Sequence, residues 1–161
     1  MIYVGDLETY PNFFLASFKD IESKQITHFE ISDRKNDTIK LREFLLSGKI
    51  KYTIGFNWHG FDYPILHNTI LKNNSIWASE DIYKIVQSTI NTKYASIKER
   101  EVKVPYIDLY KLWHYDNKNK ATSLKWLEFA MRMSNIQDLP YAVGSILSNP
   151  EKDIVIKYCE N

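Results

Sequence analysis

Short apolar runs near the start of the chain alternate with polar turns and predict β-structure. Met1 to Leu7 is an apolar run that ends in acidic residues, and Pro11 then breaks a regular strand. Phe13 to Phe18 and Gln25 to Ile31 are rich in aromatic and β-branched residues, and the polar segment between them is short enough for a hairpin turn. The beginning of the chain therefore predicts a strand followed by an antiparallel hairpin.

Helical periodicity dominates the rest of the chain and is interrupted by two more strands. Gly48 suits the end of the first helix, Pro64 lies in the first turn of the second, and Ser123 is of a type that caps a helix N-terminus. Basic residues and few large apolar ones in 91–103 predict an exposed loop. Helices are predicted over 37–46, 61–71, 81–90, 109–115, 123–131 and 149–161, and strands over 51–56 and 104–107. This order of elements predicts an α/β fold.

The composition is that of one globular domain in a reducing compartment. With 161 residues, of which 44% are hydrophobic, the chain can bury one substantial core but not two independent ones. Its 21 basic and 20 acidic side chains leave a formal charge of +1, so any contact with nucleic acid must be local. Cys159 is the single cysteine, and no stretch reads as a signal peptide or a membrane helix. We therefore expect a cytoplasmic protein without a membrane partner.

Three acidic residues stand where predicted strands end. Asp6 and Glu8 are two residues apart, so both carboxylates point to one side of the first strand. Asp62 follows the strand predicted over 51–56, at a strand-to-helix transition of the kind where open α/β sheets place their sites. If that strand lies parallel to the first, which a right-handed crossover allows, the three carboxylates share one crevice. An Asp-x-Glu triplet alone is weak evidence, since acids end many strands and face solvent.

The donor atoms of this predicted crevice favour a hard cation. Neighbouring carboxylates repel one another unless they are protonated or bridged by a cation, and oxygen-only ligands suit Mg²⁺ or Mn²⁺. Zinc would favour closely spaced histidines or cysteines, and the histidines show no such grouping. His59 lies near Asp62 and can reach a metal or a phosphate, although a single histidine in a turn is more often a solvated side chain.

Two segments have sequence patterns that are shared with a known family. One reads Asp-Leu-Glu-Thr-Tyr-Pro-Asn from Asp6, and the other reads Gly-Phe-Asn-Trp-His-Gly-Phe-Asp-Tyr-Pro-Ile-Leu from Gly55. They resemble the DEDD exonucleases of the RNase H-like fold, whose first motif is Asp-x-Glu and whose second is Asn, two or three residues, an aromatic residue and Asp. The second motif corresponds here to Asn57, Phe61 and Asp62. The likeness is greatest to the exonuclease domain of family B DNA polymerases from phages and other viruses.

Two further segments match the same family. Ser123 to Leu127 is similar to the Ser/Thr-Leu-x-x-hydrophobic motif with which these polymerases hold single-stranded DNA, although by itself it reads only as the start of an amphipathic helix. Tyr158 matches the tyrosine of the third exonuclease motif, whose aspartate four positions later would be residue 162. The resemblance covers essentially the whole chain. It implies that residues 1–161 form a single exonuclease domain in the N-terminal part of a longer polymerase polypeptide, ending within that motif.

The resemblance implies an RNase H-like fold, with a mixed five-stranded sheet in the order 3-2-1-4-5, strand 2 antiparallel, and helices flanking the sheet. It also implies proofreading-type 3′→5′ hydrolysis of single-stranded DNA. Asp6, Glu8 and Asp62 would hold two Mg²⁺ or Mn²⁺ ions in the complete site. Tyr158 would orient the attacking water, because a tyrosine with a pKa of about 10 suits a hydrogen bond better than proton removal. The contacts implied for the DNA 3′ end come from Thr9, Asn57, Phe61, Ser123 and Leu124.

Several alternatives rest on the same residues. Phe61 can be a core aromatic side chain, and Asn57 a turn residue. The chain can be a catalytically impaired nuclease-fold module that binds nucleic acid or a protein partner, or a free-standing exoribonuclease of the same superfamily. Because the fourth carboxylate would be residue 162, the chain by itself is expected to be weakly active at most. Six basic side chains can either contact phosphates or simply be solvated, namely Lys93, Lys98, Arg100, Lys103, Lys118 and Lys120.

Overall fold

A computed structural model describes residues 1–91, 97–113 and 122–160 of the chain. These residues contain one mixed sheet whose strands are β1 (Ile2–Tyr10), β2 (Phe13–Asp20), β3 (Ile26–Ser32), β4 (Tyr52–Gly55) and β5 (Tyr106–Asp108). The strands lie in the order β3-β2-β1-β4-β5. β2 is antiparallel to β1 and β3, whereas β4 is parallel to β1 and β5. The predicted strand order and the antiparallel second strand are therefore confirmed.

Helices flank this sheet in the positions that the periodicity predicts. They are α1 (Thr38–Leu45), α2 (Asp62–Leu66), α3 (Ser79–Asn91), α4 (Leu109–Trp113), α5 (Leu124–Ala130) and α6 (Asn149–Tyr158). α2 continues into a π-helical turn over His67–Leu71, so the two together fill the predicted helix 61–71. None of the helices in the described ranges has the length and apolar character needed to cross a bilayer.

Two details differ from the predicted elements. α6 ends at Tyr158. The Glu160 N–H donates to the Lys157 carbonyl three residues earlier, a 3₁₀-type hydrogen bond that is common at helix ends. The prediction of a helix that continues to residue 161 is therefore wrong for residues 159 and 160. In the predicted exposed loop, a 3₁₀ turn over Glu99–Glu101 is exposed, but Ile97 and Val102 pack against the core. Residues 92–96, and the predicted loop over 117–120, lie outside the described residues.

Apolar side chains pack on both faces of β2. Phe14, Ala16 and Phe18 belong to the larger core, which includes side chains of α1, α2 and α3. The alternate residues Phe13 and Leu15 belong to a smaller core that includes Val155 of α6 and Leu147 before it. Because successive side chains of a strand point to opposite faces, burial on both sides explains why β2 is almost continuously apolar.

Polar contacts attach the start of α6 to the end of β3. Lys152 is only 1% exposed, and its ammonium group pairs with Asp33 and donates to Asn149 Oδ1 at 3.2 Å. Arg34 Nε lies 2.7 Å from Glu30 Oε1, and Arg34 Nη2 lies 2.7 Å from an Asp153 carboxylate oxygen. A buried ammonium requires such partners, because an unpaired charge in the interior is strongly unfavourable. These contacts fix the line along which α6 runs toward β1.

Candidate functional site

The parallel pairing of β1 with β4 brings the predicted acids together. The two strands are in register from Ile2 opposite Tyr52 to Val4 opposite Ile54, so the turn after β4 opens beside the half of β1 that carries Asp6 and Glu8. Asp62 is the first residue of α2 and is 6% exposed. Burial, followed by the charge of Asp6, raises the pKa of Asp62 well above its ordinary value, and the charge of Glu8 adds to the shift. The charges of Asp6 and Glu8 therefore act on Asp62, while one crevice shared by all three stays a prediction.

Trp58 holds the turn that carries Asp62. Its indole is 1% exposed and lies against Gly5 of β1 and Gly55 of β4. A Cβ atom at Gly5 would lie 2.5 Å from Trp58 Cη2, and one at Gly55 would come still closer to the ring. Because both positions are glycine, the indole can pack directly against the two strands. The Trp58 carbonyl accepts the Tyr63 N–H at 2.8 Å, which fixes the first turn of α2.

Asn57 makes the chain reversal before Asp62. Its φ is 56°, a left-handed conformation that asparagine tolerates better than most residues. The Asn57 carbonyl accepts the N–H groups of Gly60 and Phe61, each at 3.0 Å. Asn57 therefore acts as the turn residue that the alternative interpretation expects, while its side chain remains exposed.

Asp108 is a further acid near Asp62, and it is buried; sequence analysis missed it. It ends β5, is 7% exposed, and accepts the His59 N–H at Oδ2 at 3.0 Å and the Tyr110 N–H at Oδ1 at 2.9 Å. Its charge also contributes to the raised pKa of Asp62, after burial and the charges of Asp6 and Glu8. The usable signal was an acid at the end of a predicted strand, the same signal that singled out Asp6.

His59 differs from the predicted solvated side chain. It is half-buried, and its Nδ1 is hydrogen-bonded to the Tyr106 hydroxyl. Burial lowers the pKa of His59, and the charge of Lys111 adds to that shift. The expectation of a solvated histidine is wrong because β5 brings Tyr106 beside the turn after β4.

No basic side chain within residues 1–91, 97–113 and 122–160 forms a salt bridge with Asp6 or Glu8. Asp6 is exposed, yet desolvation by the protein around its carboxylate raises its pKa, offset in part by a hydrogen bond with the Leu7 backbone. Burial, with the charge of Asp6, raises the pKa of Glu8 from 4.5 to about 8. A cluster of this kind favours either protonation or a bound cation.

The tightest group of possible ligand atoms differs from the predicted set. In the described part of the chain, one carboxylate oxygen each from Asp6 and Glu8 and the sulfur of Cys159 lie within 4.8 Å of one another, and Asp62 is not in that group. Burial and the charges of Glu8 and Asp6 raise the pKa of the Cys159 thiol far above its usual range, while a hydrogen bond with Ser17 opposes the shift. Sequence analysis used Cys159 only in the inference of a reducing compartment.

Tyr158 lies beside the same carboxylates. It is half-buried at the end of α6 and lines, together with Asp6 and Leu124, a cleft of about 710 Å³. Burial, followed by the charges of Glu8 and Asp6, raises the pKa of Tyr158. Its hydroxyl is therefore protonated at neutral pH and available for hydrogen bonding.

A second, smaller cleft of about 270 Å³ lies between the end of β1 and α3. It contains Thr9 and Phe61, two of the predicted nucleic-acid contacts, next to Glu8. Leu139 and Val143 line both clefts, so the two openings lie side by side around the carboxylates. Phe61 is partly buried and packs against the larger core, so it also fits the alternative interpretation of a core aromatic.

The predicted contacts of α5 lie at the rim of the larger cleft. Ser123 is the N-cap of α5, and its hydroxyl accepts the Trp126 N–H at 3.2 Å, which confirms the predicted cap. Leu124 is exposed. Of the predicted phosphate contacts, Lys103 donates to the Leu71 carbonyl, and Lys98 and Arg100 are exposed. The other three lie outside the described residues, namely Lys93, Lys118 and Lys120.

Fold and site together define an α/β protein with a mixed five-stranded sheet and a cluster of carboxylates toward the carboxyl ends of β1, β4 and β5. Comparison of the chain with protein-family models, with curated proteins and with solved structures finds no match.

Proposed function

We propose that this chain is a metal-dependent 3′→5′ exonuclease domain with an RNase H-like fold, of the proofreading type that accompanies family B DNA polymerases of phages. The observation that carries the proposal is the convergence of Asp6 and Glu8 from β1 with Asp62 from the start of α2. These acids come from distant parts of the chain, and in the described ranges no basic side chain pairs with them. The proposed partner is a polymerase domain in the same polypeptide.

The residues present fit Mg²⁺ or Mn²⁺. Asp6, Glu8 and Asp62 offer carboxylate oxygens, which are the ligands that hard cations prefer. Burial is the main cause of each raised pKa, and neighbouring carboxylates add to it for Glu8 and Asp62. A divalent cation among these groups would favour their ionised forms. In the complete site, two such ions would activate water at neutral pH and stabilise the departing 3′ oxygen.

The remaining residues position the substrate and the water. The Tyr158 hydroxyl, which stays protonated beside Asp6, orients the attacking water by a hydrogen bond. Phe61 and Thr9 line the small cleft beside Glu8, where Phe61 stacks on the terminal base. Stacking tolerates every base, as an exonuclease requires. Leu124, at the rim of the large cleft, contacts the incoming single strand.

Degradation of 5′-labelled single-stranded DNA and RNA tests this proposal. The chain, and a longer form that continues beyond residue 161, are incubated with Mg²⁺, with Mn²⁺ or with chelator. We expect DNA shortened stepwise from its 3′ end, only with a divalent cation and faster with the longer form. Asp62→Asn should abolish the reaction, whereas Glu22→Gln, which changes an exposed acid in the β2–β3 turn, should not.

Each contrary result has a distinct meaning. Cleavage that ignores chelator contradicts the metal site. Binding of DNA without cleavage by the longer form favours the catalytically impaired binding module. Preferential degradation of RNA favours the free-standing exoribonuclease, because sugar discrimination depends on contacts to the 2′-hydroxyl.

A further inference from the structure

Cys159 brings a sulfur atom into the carboxylate cluster. Its Sγ lies within 4.8 Å of a carboxylate oxygen of Asp6 and of Glu8, and those two oxygens are equally close to each other. A tetrahedral cation with bonds of about 2.0–2.3 Å holds its ligand atoms about 3.5 Å apart. Small rotations of these three side chains therefore suffice to place one cation among them.

Neighbouring residues fix the position of Cys159. The thiol is partly buried beside Ser17 of β2, which lies opposite Asp6 in the sheet. Ser17 Oγ is also 2.9 Å from His28 Nδ1, and His28 Nε2 lies 3.4 Å from Glu160, the residue after Cys159. These contacts hold the C-terminal end of α6 over β1, with the sulfur beside the acids.

Asp62 is a further acid close to this group. Its side chain is more than nine-tenths buried, and the charges of Asp6 and Glu8 act on it. A bound cation stabilises a buried carboxylate that lies near other carboxylates.

We propose that Asp6, Glu8 and Cys159 form a mixed oxygen and sulfur site that binds a thiophilic divalent cation of the Zn²⁺ or Cd²⁺ type. A thiolate prefers such ions, whereas Mg²⁺ and Mn²⁺ gain little from sulfur. Because two of the three ligands also belong to the proposed exonuclease site, the thiophilic ion displaces Mg²⁺ and inhibits hydrolysis. That consequence rests on the proposed function, but the binding itself does not.

Co²⁺ is a suitable probe, since a thiolate bound to Co²⁺ gives a near-ultraviolet charge-transfer band. Titration of the unmodified chain should produce this band, and Zn²⁺ should remove it while Mg²⁺ does not. The band should disappear in Cys159→Ser and persist in Glu22→Gln, with the fold of each variant checked by circular dichroism. Absence of the band from the unmodified chain overturns the proposal.

A second measurement needs no variant. Because Cys159 is the single cysteine, its alkylation by iodoacetamide reports on that thiol alone. Zn²⁺ should slow the alkylation by about an order of magnitude, because a metal-bound thiolate is withheld from the reagent, and chelator should restore the rate. An alkylation rate that Zn²⁺ leaves unchanged contradicts the proposal.

Mn²⁺ binding, followed by electron paramagnetic resonance on the same preparation, separates the two proposals. Mn²⁺ binding without any thiolate band overturns the thiophilic site and leaves the proposed exonuclease site standing. Absence of both Mn²⁺ and Co²⁺ binding contradicts the carboxylate site as well.

Discussion

The backbone N–H of His59 donates to Oδ2 of Asp108 at 3.0 Å, and this bond joins the turn after β4 to the end of β5. The parallel pairing of the two strands makes it possible, because Gly55 and Asp108 lie opposite each other at the strand ends. The other oxygen of Asp108 accepts the Tyr110 N–H. One buried carboxylate thus supports both the turn after β4 and the start of α4, and its negative charge makes Asp62 harder to ionise.

Replacement of Asp108 should therefore loosen the turn after β4 and the start of α4. In Asp108→Ala the amides of His59 and Tyr110 lose their acceptor, which should cost about 1–3 kcal/mol in the free energy of unfolding. Asp108→Asn keeps one acceptor oxygen of similar shape, so its cost should be smaller. Urea denaturation of the three proteins measures the difference. Equal midpoints for the alanine variant and the unmodified chain would show that the contacts contribute nothing.

The contact between Trp58 and Gly55 should appear as a coupling energy. Gly55→Ala forces a methyl group into the space of the indole, which should cost about 1–3 kcal/mol. Trp58→Leu removes the ring, so adding Gly55→Ala to it should cost much less. Urea denaturation of the unmodified chain, both single variants and the double variant gives the coupling. Strictly additive effects of the two substitutions on the free energy of unfolding would contradict a direct contact between Gly55 and Trp58.

The stability of the metal-free protein should fall as pH rises. Glu8 has its pKa raised from 4.5 to about 8, mainly by burial, so between these values the folded state holds a proton that the unfolded state has lost. The free energy of unfolding therefore decreases through that window and levels off above it. Glu8→Gln should flatten this dependence, and Glu22→Gln should not. Thermal denaturation at several pH values in chelator measures it, and a stability that rises over the window would refute it.

Tyr158 should affect hydrolysis without affecting metal binding. Its hydroxyl lies by the cleft that Asp6 lines, but a phenol that stays protonated is no metal ligand at neutral pH. Tyr158→Phe should slow hydrolysis by about tenfold to a hundredfold in the form extended beyond residue 161. The rate constant at saturating DNA and the Mn²⁺ affinity should be measured together. A loss of Mn²⁺ affinity as large as the loss of rate would exclude the orienting role.

The sequence predicts most of the sheet, because the patterns that indicate its strands and turns are local. The hairpin of β2 and β3 follows from a short polar segment between two β-rich runs, and the parallel β4 follows from the helix that precedes it. The proximity of Asp6 and Asp62 could be predicted, since both stand toward the carboxyl ends of strands, where open α/β sheets place their sites.

Other parts of the site depend on tertiary contacts that no local pattern carries. Cys159 and Asp6 are far apart in the sequence. They approach each other because Lys152 and its partners fix the path of α6. Trp58 reads in sequence as one more aromatic residue, and only the sheet shows that it needs glycine on two strands. Asp108 lies outside the recognised motifs, so its strand-end position alone could have indicated it.

Mn²⁺ affinity, measured by electron paramagnetic resonance on the unmodified chain, Asp62→Asn and Glu22→Gln, tests the central claim most directly. The claim is that carboxylates from β1 and from the start of α2 hold divalent cations together. We expect Asp62→Asn to weaken Mn²⁺ binding by about tenfold or more, because it removes a buried ligand, and Glu22→Gln to leave it unchanged. An Asp62→Asn variant that binds Mn²⁺ as tightly as the unmodified chain would contradict the account.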